Sequence, residues 1–125
     1  MTLGTIPIDA GTIMQEPTFV TFPWPPASLS PNSRKDRRAN TKERAAFKKA
    51  WWATALHKLP RGTHLTMEFF PPDNRPRDLD NMFASVKYGI DGIALAIGID
   101  DKDFSFTIRK RPKSLGGKVL VGVTS

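Results

Sequence analysis

Met82, Val86, Ile90, Ile93 and Ile97 recur at intervals of four or three residues. That spacing puts them on one stripe of an α-helix and predicts a helix from near Asp80 to near Gly98, a residue suited to the C-cap. Gly89 and Gly92 work against helix inside that span. A helix of this length must bury its stripe. It also separates two acidic blocks, Arg75-Pro76-Arg77-Asp78-Leu79-Asp80-Asn81 before it and Asp100-Asp101-Lys102-Asp103 after it.

The other elements follow from local pattern. Residues 17–22 are β-prone, and Pro23-Trp24-Pro25-Pro26 ends that strand because proline cannot continue a ladder. Asn40 three residues before Glu43 resembles a capping box, so a basic helix is expected from Asn40 to about Lys58, with Phe47, Ala50, Trp51, Thr54 and Ala55 on one face. In residues 64–70, Leu65, Met67 and Phe69 alternate with Thr66 and Glu68, which reads as a strand closed by Pro71-Pro72. Residues 104–110 and 118–123 read as two further strands forming a hairpin through residues 112–117. The order β-α-β-α-β-β predicts an α/β (α+β-like) fold: a single small domain with a mixed sheet of about four strands and two main helices. Residues 1–17 are expected to be an arm and residues 18–125 the domain.

At 125 residues the chain suits one domain with a real core. The absence of cysteine removes disulfides, thiolate metal sites and a cysteine nucleophile. With no long apolar run and no secretory leader pattern, the expectation is a cytoplasmic protein with no membrane contact. The net charge is +7, but its distribution says more. Ten basic and two acidic residues lie between Ser33 and Arg61, whereas eight of the twelve acids lie between Glu68 and Asp103. A basic stretch of this kind favours nucleic acid as partner, through phosphate contacts and counterion release, over a merely solvated face. Arg34, Lys35, Arg37, Arg38, Lys42, Arg44, Lys48 and Lys49, with Arg75 and Arg77, are the candidate phosphate contacts.

Acids beside such bases are costly against a polyanion unless a cation sits among them. Mg²⁺ prefers carboxylate and water oxygens and takes few protein ligands when substrate phosphate fills the rest. Asp78, Asp80 and Asp101 are the candidate ligands, with Asp100 as an alternative neighbour. Asp78 and Asp80 share a side only in extended backbone, since within a helix they would diverge by about 160°. Asp101 can join them only if the helix does not lie between. Taken singly, Asp78 also reads as a salt-bridge partner of Arg75 or Arg77, Asp80 as a helix cap, and the Asp100 block as a polar turn. Lys87 falls about two turns after Asp80 on nearly the same azimuth. It reads equally as a group aimed at phosphate and as an ordinary surface lysine. His57 and His64 lack metal-ligand spacing and are given no role.

Phe22-Pro23-Trp24-Pro25-Pro26, Ser30-Pro31-Asn32 with its basic helix, Pro72 through Asn81, Asp91-Gly92 and Gly98-Ile99-Asp100-Asp101 together resemble, in order, the RusA family of Holliday junction resolvases, including its phage-borne members. The resemblance implies a small mixed α/β homodimer that binds four-way DNA junctions and cuts two strands with Mg²⁺, for which Mn²⁺ substitutes. It implies a bacterial cytoplasmic setting, phage- or prophage-encoded. By motif position it assigns catalytic metal ligation to Asp78, Asp80 and Asp101. The family lysine position falls on Ala84, and Lys87 on the neighbouring turn is the substitute. A non-catalytic branched-DNA-binding relative and a flap or fork nuclease on the same fold are the alternatives.

Overall fold

The computed structural model describes residues 17–31 and 37–125, without the side chains of residues 37–39. The expected arm, save Pro17, therefore lies outside the described residues. The strands are β1 (Val20–Pro23), β2 (His64–Phe70), β3 (Ser105–Lys110) and β4 (Lys118–Thr124), and the helices are α1 (Arg37–Ala55), α2 (Leu79–Ser85) and α3 (Lys87–Ile97). They make one small mixed α/β domain with strand order β1-β4-β2-β3. Among the described residues, no helix is long and apolar enough to cross a membrane.

The alternation in β2 decides the centre of the sheet. Leu65, Met67 and Phe69 are fully buried, and opposite them stand Val123, Val121 and Val119 of antiparallel β4. β3 runs parallel to β2 on its other side, from His64↔Ser105 to Phe69↔Lys110. The expected β3–β4 hairpin is thus absent: both strands pair with β2, which lies between them. The connecting residues pass over the end of β2, where Arg111 N–H donates to Phe69 O at 2.8 Å and Ser114 N–H to Pro71 O at 2.8 Å. A strand this apolar is better covered by two neighbours than left at an edge.

α1 and α3 pack on the buried face of the sheet through one apolar cluster. Gly89 and Gly92, unfavourable for a lone helix, let the two helices approach. A Cβ on Gly89 would collide with the Trp51 ring, and one on Gly92 with the Lys48 carbonyl oxygen and, at 2.9 Å, with Trp52 N. Because backbone cannot swing aside, Gly92→Ala should cost about 1–3 kcal/mol despite alanine's better helix propensity. Urea denaturation measures it, and a gain in stability would show that α1 and α3 can separate freely.

The expected single helix from Asp80 to Gly98 is two helices. Val86 takes φ −102° and ψ 10°, and its N–H bonds back to Phe83 O at 3.2 Å. One residue earlier, Ser85 Oγ donates to Asn81 O at 2.7 Å, a contact that bends helices by competing for a backbone acceptor. Gly98 does cap α3, in the left-handed region at φ 72°. Asn40, expected as the N-cap of α1, is instead buried inside it, because the helix begins at Arg37.

Candidate nucleic-acid and metal site

Asp78 sits immediately before α2 in extended backbone, φ −81° and ψ 138°, and its side chain makes no capping bond. Asp80 lies in the first turn of α2, and both residues are exposed. Asp78 lines a cleft of about 600 Å³ with Trp24, Pro72, Arg75, Arg77 and Asn81. The arginines there are not partnered by Asp78, as one reading of the sequence had it, but by Asp73. Arg77 Nη1 meets Asp73 Oδ1 at 2.7 Å, and Arg75 Nε lies 3.3 Å from both carboxylate oxygens. The Arg77 hydrogen bond, followed by those from Arg75, holds the Asp73 carboxyl far below the usual carboxylate range. Arg77, largely covered and over the Trp24 ring at 5.9 Å, is a wall of the cleft, whereas Arg75 is mostly exposed to an incoming phosphate.

Asp101 is elsewhere. It opens a 3₁₀ turn (Asp101–Asp103) just after α3, and its carboxyl lies beside that of Asp91 on α3. Burial above all pushes the Asp91 carboxyl above its ordinary range, and the hydrogen bond to Asp101 and its charge add to the shift. Lys48 of α1 and Lys87 act in the opposite sense. Lys87 and Asp91 are neighbours by helix geometry, four residues apart on α3. Lys48, Asp91 and Asp101 line one open groove with Gly98 and Ile99. Asp100 borders the same groove, but its carboxylate accepts from Lys102 N–H at 3.1 Å and lies 3.9 Å from Lys102 Nζ. It caps the turn.

The two acidic places are at opposite ends of β3. Lys110 Nζ donates to Arg77 O at 3.3 Å at the far end of the strand, whereas Asp101 precedes Ser105 at its start. Six residues of strand span roughly 20 Å. α2 lies along β3 between them, its Phe83 ring 5.0 Å from that of Phe106. Within one chain Asp78 and Asp101 line separate clefts. Among the described residues, no group of three or more His, Asp or Glu side chains converges on a point that could hold an ion. Asp91 and Asp101 are brought together, and two carboxylates are a sufficient protein share for Mg²⁺ when phosphate and water complete the shell.

Of the basic candidates, Lys42, Lys48 and Lys49 are exposed on α1, and Arg44 lies with its guanidinium 5.2 Å above the Tyr88 ring. Arg34 and Lys35, and the side chains of Arg37 and Arg38, lie outside the described residues. His64 is tied to Ser105 Oγ at 2.7 Å and Thr107 Oγ1 at 2.8 Å on the outer sheet face. Asp91 received no role from sequence reasoning. Its position four residues after Lys87 was the available signal.

Fold and site define a small mixed α/β protein with a carboxyl pair, one half-buried and one exposed, beside a basic helix. No family model matches the chain. It is 33% identical over 114 residues to a protein of Xylella fastidiosa described as an uncharacterized protein, a match covering 84% of this chain and 74% of that one. The chain belongs to the same family as that protein.

Proposed function

We propose that this protein is a Mg²⁺-dependent, structure-selective endodeoxyribonuclease that hydrolyses phosphodiesters in four-way DNA junctions as a homodimer. The observation that carries this reading is the Asp91–Asp101 carboxyl pair flanked by Lys48 and Lys87. Two carboxyls in contact can keep only part of their charge unless a cation or proton lies between them. A protein that merely binds phosphate gains nothing from such a pair. Asp91 and Asp101 would hold Mg²⁺, which when bound supplies a Lewis acid toward phosphate and acidifies water. Lys48 and Lys87 would bind the scissile phosphate's oxygens and orient it against the pair. Lys42 and Lys49 would hold neighbouring phosphates and fix the register of the strand without reading bases.

The carboxylates at the start of α2 enter this scheme through a second copy. Asp80, Ala84, Lys87 and Leu95 are exposed along α2 and α3, Leu95 to 65%. Packing that side against itself about a twofold would bring Asp78 and Asp80 of one copy toward Asp91 and Asp101 of the other. A C₂ interface is self-complementary, and a junction that needs two symmetric cuts matches it.

The test is cleavage of an end-labelled four-way junction with Mg²⁺, Mn²⁺ or EDTA. Paired nicks that require the divalent ion are expected from the wild type, and none from Asp80→Asn or Asp101→Asn alone. Mixing the two inactive variants should restore nicking, because a mixed dimer regains one intact site. Failure of the mixture would sink the shared arrangement. Junction binding with no cleavage by the wild type in either ion would make the chain a DNA-binding protein.

A further inference from the structure

A second basic element lies far from α1 in sequence. Residues 109–118, Arg-Lys-Arg-Pro-Lys-Ser-Leu-Gly-Gly-Lys, carry five cations and no acid. At their centre Leu115 is fully exposed, with a relative exposure of 102%. A single exposed leucine is ordinary by itself. Here the support beneath it is not ordinary.

The loop is pinned on both sides of its tip. Arg111 and Ser114 N–H groups bond to the end of β2 and to Pro71, and Gly117 N–H donates to Ser114 O at 2.8 Å. Gly116 and Gly117 take φ 77° and 72°, a left-handed pair that turns the chain sharply after Leu115. Gly117 lies flush on the Trp24 ring, where a Cβ would come within 2.9 Å. Leu115 therefore projects from a braced turn. Lys110 reaches Arg77 O and Lys118 lies 4.9 Å over the Phe70 ring, so the cations spread around the base of the tip toward Arg75. Glu68 offsets part of this charge, approaching Arg111 at 3.6 Å and Arg109 at 3.9 Å.

We infer that residues 111–117 form a second DNA-contacting element, in which Leu115 inserts between bases at the branch point while Lys110, Lys113 and Arg75 hold the flanking phosphates. The inference rests on the reading of this protein as one that acts on branched DNA. Apolar wedges between base steps, flanked by cations on phosphate, are a recurrent way to open a stack, at a cost of about a few kcal/mol per step. At a branch the stack is already interrupted, so the cost is smaller there than in a duplex. A membrane surface is the competing partner for a basic loop with an apolar tip. One leucine side chain offers far less apolar area than the acyl chain that is itself only a marginal anchor.

The experiment uses the full chain, a four-way junction with 2-aminopurine at the branch, and Ca²⁺ in place of Mg²⁺. Wild-type protein should raise the fluorescence as the base unstacks. Leu115→Ser should bind without the rise, and Leu115→Met should retain it. A full rise with Leu115→Ser overturns the inference, as does Leu115-dependent sedimentation with phosphatidylserine vesicles in place of junction unstacking. A Leu115-dependent rise from a protein that never nicks DNA in Mg²⁺ would uphold the inference while the nuclease reading fell. No DNA binding at all would overturn both.

Discussion

Asp91→Asn is expected to lower junction cleavage by about 100-fold or more while leaving the melting temperature at pH 7 unchanged or raised. The two halves of this expectation have one cause. Burial, then the hydrogen bond and charge of Asp101, raise the Asp91 carboxyl pKa in the folded protein. The folded state then holds that proton more tightly than the unfolded chain does. Its contribution to stability is fully present below the ordinary carboxylate value of about 4 and is lost as pH rises through the folded value. At pH 7 the ionised group is a liability that asparagine removes at nearly the same shape. The variant's melting temperature relative to wild type should accordingly improve between pH 3 and pH 7. Asp73 has the opposite sign, since Arg77 and Arg75 lower its pKa, and its contribution is present above the ordinary value and lost on acidification. Thermal melts at both pH values beside the nicking assay check the claim. Wild-type cleavage by Asp91→Asn would remove Asp91 from the site, and a clear loss of stability at pH 7 would make it a structural residue.

Trp51→Ala should cost about 4 kcal/mol, a large share of the roughly 5–15 kcal/mol that holds a domain together. Trp51 is fully buried, with ring centroids 4.7 Å from Phe22 and 5.2 Å from Phe47. Its Nε1 donates to Pro23 O at 3.1 Å, so truncation also strips a partner from a backbone carbonyl at the end of β1. The same indole is the surface on which Gly89 closes. One side chain thus joins β1, α1 and α3, and through the last two it sets Lys48 against Asp91. Urea unfolding should show the loss, with Trp52→Ala, at a partly exposed position, costing much less. A Trp51→Ala protein within about 1 kcal/mol of wild type would mean that the cavity collapses around other contacts.

Much of the architecture was legible because it is written in neighbouring residues. The alternation of Leu65, Met67 and Phe69 specified a strand with one buried face, and the stripe from Met82 to Ile97 specified helix ended by Gly98. The mixed α/β class followed from their order. What failed was pairing: residues 104–110 and 118–123, neighbouring strands in sequence, are expected to pair with each other and instead flank β2. The break at Val86 was also hidden, because an apolar stripe keeps its spacing across a local bend.

The candidate site divides in the same way. The sequence by itself determined that acids bracket the second helical region and that cations crowd α1, since both are facts of residue order. Only the tertiary structure decided which acids meet. It joined Asp101 to Asp91 across the end of α3 and left Asp78 in another cleft, and it turned Gly89 and Gly92 from helix weaknesses into the contact between α1 and α3. The physical reason is range. Periodicity and capping depend on residues a few positions apart, whereas strand partners, helix approach and the company a carboxylate keeps depend on how all the apolar faces are covered at once.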